Sequence, residues 1–444
     1  MKRISCLLIV FIHGLLQAQT SGQLDSIVAH FVQLEKFNGS VLVASKGSIL
    51  LQKGYGYKNA ARHEQNDANS IFQIGSITKQ FTASIILQLQ EQKKLSLTDK
   101  LSKYFPELPF ADSVTLEQLL SHTSGIYNYT NNGAFMASGA MQHSGRQVIF
   151  DLFKNKPLEF TPGTAFNYSN SGYMLLGYII EKITGQPYES IIRKKIFAPL
   201  QMNTAGFDFV ALSLPNKATG YSLLTAASAN PAPIADSTAT FAAGGIYATT
   251  ADLYKWDRAL YTERIISKAS LRNAYTIRKG QYGLGWVIDS AYGHEVYSHS
   301  GGIFGFGSFF ARSPEEDICI VLLDNKGSGG LQSIAEALNA ALHHKPVNLP
   351  KAHLAISVDS NLLKTYTGTY QLSPNFYIDI SMADGKLYLQ ATGQGKHELF
   401  AEKKDAFFLT VVDAQVEFVK DANNTTDKLI LHQNGQHMLA PKIK

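Results

Sequence analysis

Cysteine is almost missing from this chain. Its 444 residues hold two, Cys6 and Cys319. Cys6 lies in an N-terminal stretch that reads as a leader, too early in it to be a lipid-attachment site. Once the leader is gone Cys319 stands alone, so an internal disulfide is excluded. Cys319 sits in Asp317-Ile318-Cys319-Ile320-Val321-Leu322-Leu323, which has the character of a buried strand and marks the thiol as core rather than nucleophile. Long apolar runs are also missing, so no stable membrane span is expected. Charge of one sign is not in excess: the formal net charge is +5, and Lys2 and Arg3 would leave with the leader. That remainder is too small and too dispersed to argue for nucleic acid. The pair His343-His344 has no partner at metal-ligand spacing and reads as solvent-exposed; no metal and no cofactor are expected. Apart from hairpin turns there is no internal repeat and no low-complexity tract.

What is present begins with a leader over 1–19. Lys2 and Arg3 form its charged start, Ile4 to Leu16 its apolar middle, and Leu16-Gln17-Ala18 its exit, with cleavage expected after Ala18. Export to the periplasm or the medium is the expectation. The chain then divides into 20–345, a linker over 346–361 marked by Pro346 and Pro350, and a tail over 362–444.

The densest chemistry lies in Phe72-Gln73-Ile74-Gly75-Ser76-Ile77-Thr78-Lys79. Ser76 opens a helix whose buried face carries Ile77, Phe81, Ile85, Ile86 and Leu89. Ser76 and Lys79, three residues apart, then stand on one face. A serine hydroxyl needs a neighbouring base at neutral pH, and a lysine supplies it when burial and the positive helix end lower its pKa. No other serine has a lysine three residues on.

A third proton-carrying group is required, and Tyr-x-Asn occurs at Tyr57, Tyr129 and Tyr168. Tyr168 is preferred because its turn runs straight into a packed helix, Met174 to Ile183. A positive charge on Lys79 would favour the Tyr168 phenolate, which would act as general base toward Ser76 or water. Asn170 would offer its amide to a substrate carbonyl or to Lys79. His-Ser-Gly occurs at His143, in a loop, and at His299, where His299-Ser300-Gly301-Gly302 ends a strand. Glycine at that edge admits close backbone approach, and the backbone N–H groups of Ser76 and Gly302 are candidates for an oxyanion hole.

Around these lie other elements. Gln23 to Phe37 reads as an amphipathic helix, and Gly39 to Tyr55 as a hairpin turning at Lys46-Gly47. Thr115 to Gly125 reads as a short helix stopped by glycine, with His122 more readily a backbone-bonding residue at its end than a catalytic one. Residues 126–145 read as a long surface loop, a candidate cover for the site. Strands are expected over Gly283 to Ile288, Glu295 to His299, Phe304 to Arg312 and Asp317 to Leu323, then a helix over Leu331 to Leu342. Beyond Asp359 strands alone are expected, with hairpin turns at Asp384-Gly385 and Asn434-Gly435. The fold class is α/β of the α+β kind: an antiparallel sheet flanked by helices plus an all-helical lobe, followed by a small all-β barrel.

Ser76-Ile77-Thr78-Lys79, Tyr168-Ser169-Asn170 and His299-Ser300-Gly301, with Leu119 to Gly125 and Ala242-Ala243-Gly244-Gly245 as context, together resemble the serine beta-lactamase and penicillin-binding protein superfamily. The resemblance covers about 22–345 and is nearest to the class C beta-lactamase, D-aminopeptidase and esterase branch. More weakly, the tail resembles the lipocalin-like barrels appended to some members. The resemblance implies an acyl-enzyme on Ser76, with Lys79 and Tyr168 sharing proton transfer and Asn170, His299, Ser300 and Gly301 binding substrate. Dedicated beta-lactamases and many DD-peptidases carry lysine where this chain has His299, and histidine is only partly charged at neutral pH. The expected substrate is therefore a peptide, a D-amino-acid derivative or an ester, with cell-wall fragments among the candidates. The alternatives are a beta-lactamase or DD-carboxypeptidase, and a non-catalytic binder of cell-wall peptide on the same scaffold. No oligomeric state is implied.

Overall fold

The computed structural model describes residues 19–444 except 328, 352, 354, 411, 413, 434 and 435. Residues 1–18, which hold Cys6 and all but the last residue of the expected leader, and the expected turn at Asn434-Gly435 lie outside the described residues. The chain forms two compact units, dividing between Leu349 and Pro350.

The first unit is built on a six-stranded antiparallel sheet: β1 (Gly39–Ser45), β2 (Ser48–Tyr55), β3 (Val287–Ala291), β4 (His294–Ile303), β5 (Phe306–Ser313) and β6 (Ile318–Asp324). Their spatial order is β2-β1-β6-β5-β4-β3, so strands from opposite ends of the unit meet at its centre, Val43 opposite Ile320. Strict alternation sends β6 to two cores. Ile318, Ile320 and Leu322 face one side with Val41 and Val43, under helix α1 (19–33) and the helix Leu331–Leu342. Cys319, Val321 and Leu323 face the other side with Leu42 and Ala44. Cys319 is a free, buried thiol.

That second side supports a helical lobe, formed by the long excursion between β2 and β3. At its centre is α2 (Thr78–Glu91). The expectation of one buried face understates it: every residue from Thr78 to Leu87 is buried. Its polar side chains are therefore bonded within the protein. Trp256 Nε1 donates to Gln80 Oε1 (3.0 Å), and Thr82 Oγ1 donates to Ala242 O (2.7 Å).

Several local expectations are corrected. The helix after Thr115, α3, spans Leu116–Leu120 and opens on a Thr115–Gln118 capping box. It stops before Gly125, because the left-handed turn is made by His122 (φ +56°). Residues 126–145 are not a loose loop. They hold a turn at Tyr129–Asn131 and a helix at Gly133–Ala137, anchored by buried Ile126, Tyr129, Phe135 and Ala140. The Tyr168 turn feeds α4 (Asn170–Thr184), which ends at Gly185 in the left-handed region (φ +67°). The strand expected over 283–288 starts only at Val287. Gly283 lies where a Cβ would stand 2.1 Å from Ala274 O, and Gly285 adopts φ +83° against Lys79 O, so this stretch packs as a bend on α2. His343 is not simply solvent-exposed: its Nε2 lies 2.7 Å from Glu316 Oε1, while His344 is exposed.

The second unit is an eight-stranded antiparallel barrel whose strands, from Gly368–Ser373 to Gln436–Pro441, pair in sequence order. It nearly closes, through bonds of Thr369 N–H to Lys444 O (3.0 Å) and Ile443 N–H to Thr369 O (2.8 Å). Strands are not its sole content. Asp359 caps a helix over Ser360–Thr365, and Leu363 of that helix enters the barrel core beside Tyr366, whose ring stacks on Phe418 at 4.3 Å.

One buried ion pair joins the first unit's sheet to its helices. Arg312 Nε donates to Asp257 Oδ1 at 2.7 Å, with both side chains almost wholly buried. Asp257→Ala leaves the guanidinium buried without its carboxylate and should cost about 3–5 kcal/mol of stability. A urea titration checks this; a loss under about 1 kcal/mol would assign the pair no structural role.

Candidate active site

Ser76 lies on a tight 3-10 turn, Gly75–Ile77, just ahead of α2 rather than inside it. The turn is fixed from two sides. Ile74 N–H donates to Ile246 O (3.0 Å), and Ser308 Oγ of β5 donates to Ile74 O (2.7 Å). Gly75 needs its glycine: φ is +50°, and a Cβ would stand 2.9 Å from Gly302 N. Between Ile71 and Gln80, Ser76 alone is not fully buried.

Lys79 is completely buried, and its Nζ has three neighbours from three parts of the chain: Ser76 Oγ at 2.9 Å, Asn170 Oδ1 at 2.8 Å and Ala243 O at 2.6 Å. Burial holds its pKa well below the usual lysine range. As a free amine it has two N–H donors, which suit Asn170 and Ala243, and one lone pair, which then faces Ser76 Oγ. Tyr168 lies beside this pair: its phenol interacts electrostatically with the Ser76 side chain, and Lys79 Nζ lies 4.9 Å from its ring centre. Burial pushes the phenol above its ordinary pKa, which the Ser76 side chain offsets only in part. The expected phenolate is thus corrected: with Lys79 held neutral, no cation offsets the loss of hydration, and the phenol keeps its proton.

Asn170 opens α4 and is fully engaged. Its Oδ1 accepts from Lys79, and its Nδ2 donates to Thr130 Oγ1 at 3.1 Å. Of the two partners expected for it, the structure provides Lys79. The rival tyrosines stand elsewhere: Tyr57 is exposed, and Tyr129 donates its hydroxyl to Ala239 O at 2.5 Å. His143 is on the surface, 3.9 Å from Asp236.

His299 is buried, with both ring nitrogens occupied. Nδ1 lies 2.6 Å from Ser300 O and must donate, so Nε2, 2.8 Å from Tyr282 Oη, accepts. Burial lowers its pKa to about 3, with the Ser300 carbonyl opposing. Partial charge at neutral pH is therefore corrected to a neutral ring. Ser300 is exposed on the strand edge. β3 pairs with β4 only as far as Ser298, so residues 299–303 continue past it. At Gly301 a Cβ would meet Ile74 O at 2.1 Å and Ser308 Oγ at 2.3 Å, and this absence of a side chain lets β4 press on the Ser76 turn.

Sequence reasoning missed Thr130, Ala243 and Tyr282. Thr130 lies two residues from Asn128, whose Oδ1 accepts from Asn170 N–H (3.0 Å), inside the Asn- and Tyr-rich stretch whose composition was its one signal. Ala243 stands in the Ala242-Ala243-Gly244-Gly245 stretch, but it bonds Lys79 through its carbonyl, which its residue type does not reveal, and Tyr282 is a single aromatic before a strand.

The profile of the family described as beta-lactamase matches residues 24–345, and that of a domain of unknown function (DUF3471) matches 352–441. Penicillin-binding protein 4* of Bacillus subtilis is 30% identical over 435 residues, 92% of this chain and 96% of that protein. An octameric penicillin-binding protein homologue from Pyrococcus abyssi superposes with TM-score 0.67 at 27% identity, covering 94% of this chain and 99% of that one. A D-stereospecific amidohydrolase from Streptomyces sp. superposes with TM-score 0.59 at 27% identity, over 72% of this chain and 98% of the other.

The two glycines of the strand edge make contrasting predictions. Gly301→Ala should destabilise the first unit by about 1–3 kcal/mol through overpacking. Gly302→Ala, where nothing lies within 4 Å of a new Cβ, should cost far less. Paired thermal melts decide; equal melting points would show that β4 does not rest on the Ser76 turn.

Proposed function

Because this chain belongs to the beta-lactamase and penicillin-binding-protein family of serine hydrolases, we propose that it forms an acyl-enzyme on Ser76 with amides or esters that bear no free carboxylate beside the scissile bond. The observation that carries this is the buried Lys79 Nζ, 2.9 Å from Ser76 Oγ and lowered in pKa by burial, with the Tyr168 ring packed beside it. Lys79 Nζ takes the Ser76 proton as Oγ bonds to the carbonyl carbon. The carbonyl electrons move to oxygen, where the Ser76 and Gly302 N–H groups receive the charge. Collapse breaks the bond to the leaving group, which takes the Tyr168 proton, and Lys79 ammonium returns its proton to Tyr168. Water repeats the sequence in reverse: its proton passes to the Tyr168–Lys79 pair, hydroxide adds to the acyl carbon, and Ser76 regains its proton.

The substrate reading rests on His299. A neutral ring with both nitrogens engaged offers no fixed charge to a carboxylate. D-amino-acid amides, peptide amides and esters fit such a site. The D-stereospecific amidohydrolase among the structural relatives supports the first of these. Hydrolysis of beta-lactams or of a C-terminal D-Ala–D-Ala bond, each bearing a carboxylate, is the second reading, favoured by the penicillin-binding protein relatives.

Intact mass after incubation with a fluorophosphonate should show one adduct on the wild type and none on Ser76→Ala. The labelling rate should rise with pH through the lowered Lys79 pKa, because free amine accumulates as pH rises, and level off well below 10.5, the ordinary lysine value. No adduct on either protein would favour a non-catalytic peptide binder. For substrate class, D-alanine amide should be cleaved with at least about tenfold higher kcat/KM than D-alanyl-D-alanine, the discrimination of roughly one unmet charge contact. The opposite order would return the assignment to a carboxypeptidase.

A further inference from the structure

His122 is buried beside the site, and the mechanism above does not use it. It grips the chain on both sides of Tyr168. Its carbonyl accepts the N–H of Asn167 at 3.0 Å, and its Nδ1 accepts the N–H of Ser169 at 3.2 Å. Its ring lies against the Tyr168 ring, with centroids 4.1 Å apart at a tilt of 35°. The left-handed backbone at His122 lets one residue make all three contacts, a conformation that costs a non-glycine residue about 1 kcal/mol or more. With Nδ1 accepting, the proton resides on Nε2, which has no hydrogen-bond partner among the described residues. Around it stand Tyr282 and Tyr173, with ring centroids at 4.7 and 5.2 Å. A histidine serving only to fill the core would not need this orphaned donor, the strained backbone and two bonds that bracket one tyrosine.

We infer that His122 is the positioning residue for Tyr168: it fixes the backbone before and after the tyrosine and backs its ring, so that the phenol hydroxyl stays on Ser76 Oγ and in line with the leaving group. This rests on the proton-transfer role proposed for Tyr168 above. The groups facing His122 agree with a permanently neutral ring. Burial lowers its pKa well below the usual histidine value, and Tyr168, Tyr173 and Tyr282 enclose it.

A displaced proton donor matters most when the leaving group is basic, so two esters sharing one acyl group separate positioning from general structural support. His122→Ala should lower kcat/KM for ethyl butyrate roughly 10²-fold, the worth of a positioned general acid. For p-nitrophenyl butyrate, whose leaving group departs without a proton, the loss should stay within about threefold. Tyr168→Phe should reproduce this bias. His122→Asn, which tolerates the left-handed backbone and places an acceptor near Nδ1, should recover about a tenth of wild-type activity on ethyl butyrate. It should show the same bias in smaller measure, and it carries the test if the alanine variant does not fold. Equal losses on the two esters, or no loss on either, would overturn the inference and leave the Ser76 mechanism standing. A wild type that neither labels with fluorophosphonate nor cleaves either ester would overturn both, before any substitution at His122 is read.

Discussion

Burial of the Lys79 amine is the constraint on which the first unit depends. An ammonium taken out of water without a counter-ion is costly, and no carboxylate hydrogen-bonds Nζ. The lysine is instead held by a serine hydroxyl, an asparagine oxygen and a backbone carbonyl, each from a different element. Those three must arrive together, and much of the packing serves that end. The first ten residues of α2 are all buried, Lys79 among them. Gly177 of α4 leaves room for Ala242 and Phe241, where a Cβ would come within 2.5 Å of both. Phe241 itself breaks its helix (φ +35°, ψ −126°), and just beyond the break the carbonyls of Ala242 and Ala243 meet Thr82 and Lys79. A strained residue at this point fits a site where backbone geometry does chemistry.

Around the amine the protein has built a neutral, aromatic enclosure. Tyr168, Tyr173, Tyr282, His122 and His299 lie ring against ring, and burial keeps the phenols protonated and the imidazoles uncharged. Low polarity here strengthens each remaining hydrogen bond. It also removes the fixed charge that would recognise a carboxylate. The mechanism and the selectivity proposed above would therefore share one physical origin, the burial of the groups behind Ser76.

The edge of β4 completes the arrangement from the sheet side. Gly301 permits contact with Ile74 O, and Ser308 on the next strand clamps the same carbonyl. The sheet thus sets the position of the nucleophile turn directly, and the two cores on its faces keep it rigid.

The sequence alone was enough to place Ser76 and Lys79 side by side, to expect the sheet flanked by helices, and to expect the barrel of the tail; the strand expected to end at His299 runs on to Ile303. These rest on short-range patterns: residue spacing along a helix, alternation along a strand, glycine at a close approach. The hairpin Gly39 to Tyr55 and the helix Leu331 to Leu342 were legible for the same reason. What the tertiary structure alone decided are the protonation states and the partners made by backbone. The Lys79 pKa is lowered because the side chain is buried in a helix whose first ten residues are all buried, which a one-faced pattern did not reveal. His299 is neutral because it is buried, with Tyr282, seventeen residues away, at its second nitrogen. His122 turns the chain in place of Gly125 because Asn167 and Ser169 reward the strain. Spacing is a local property that sequence carries in full; solvation is set by everything packed around a group, and it exists only once the chain has folded.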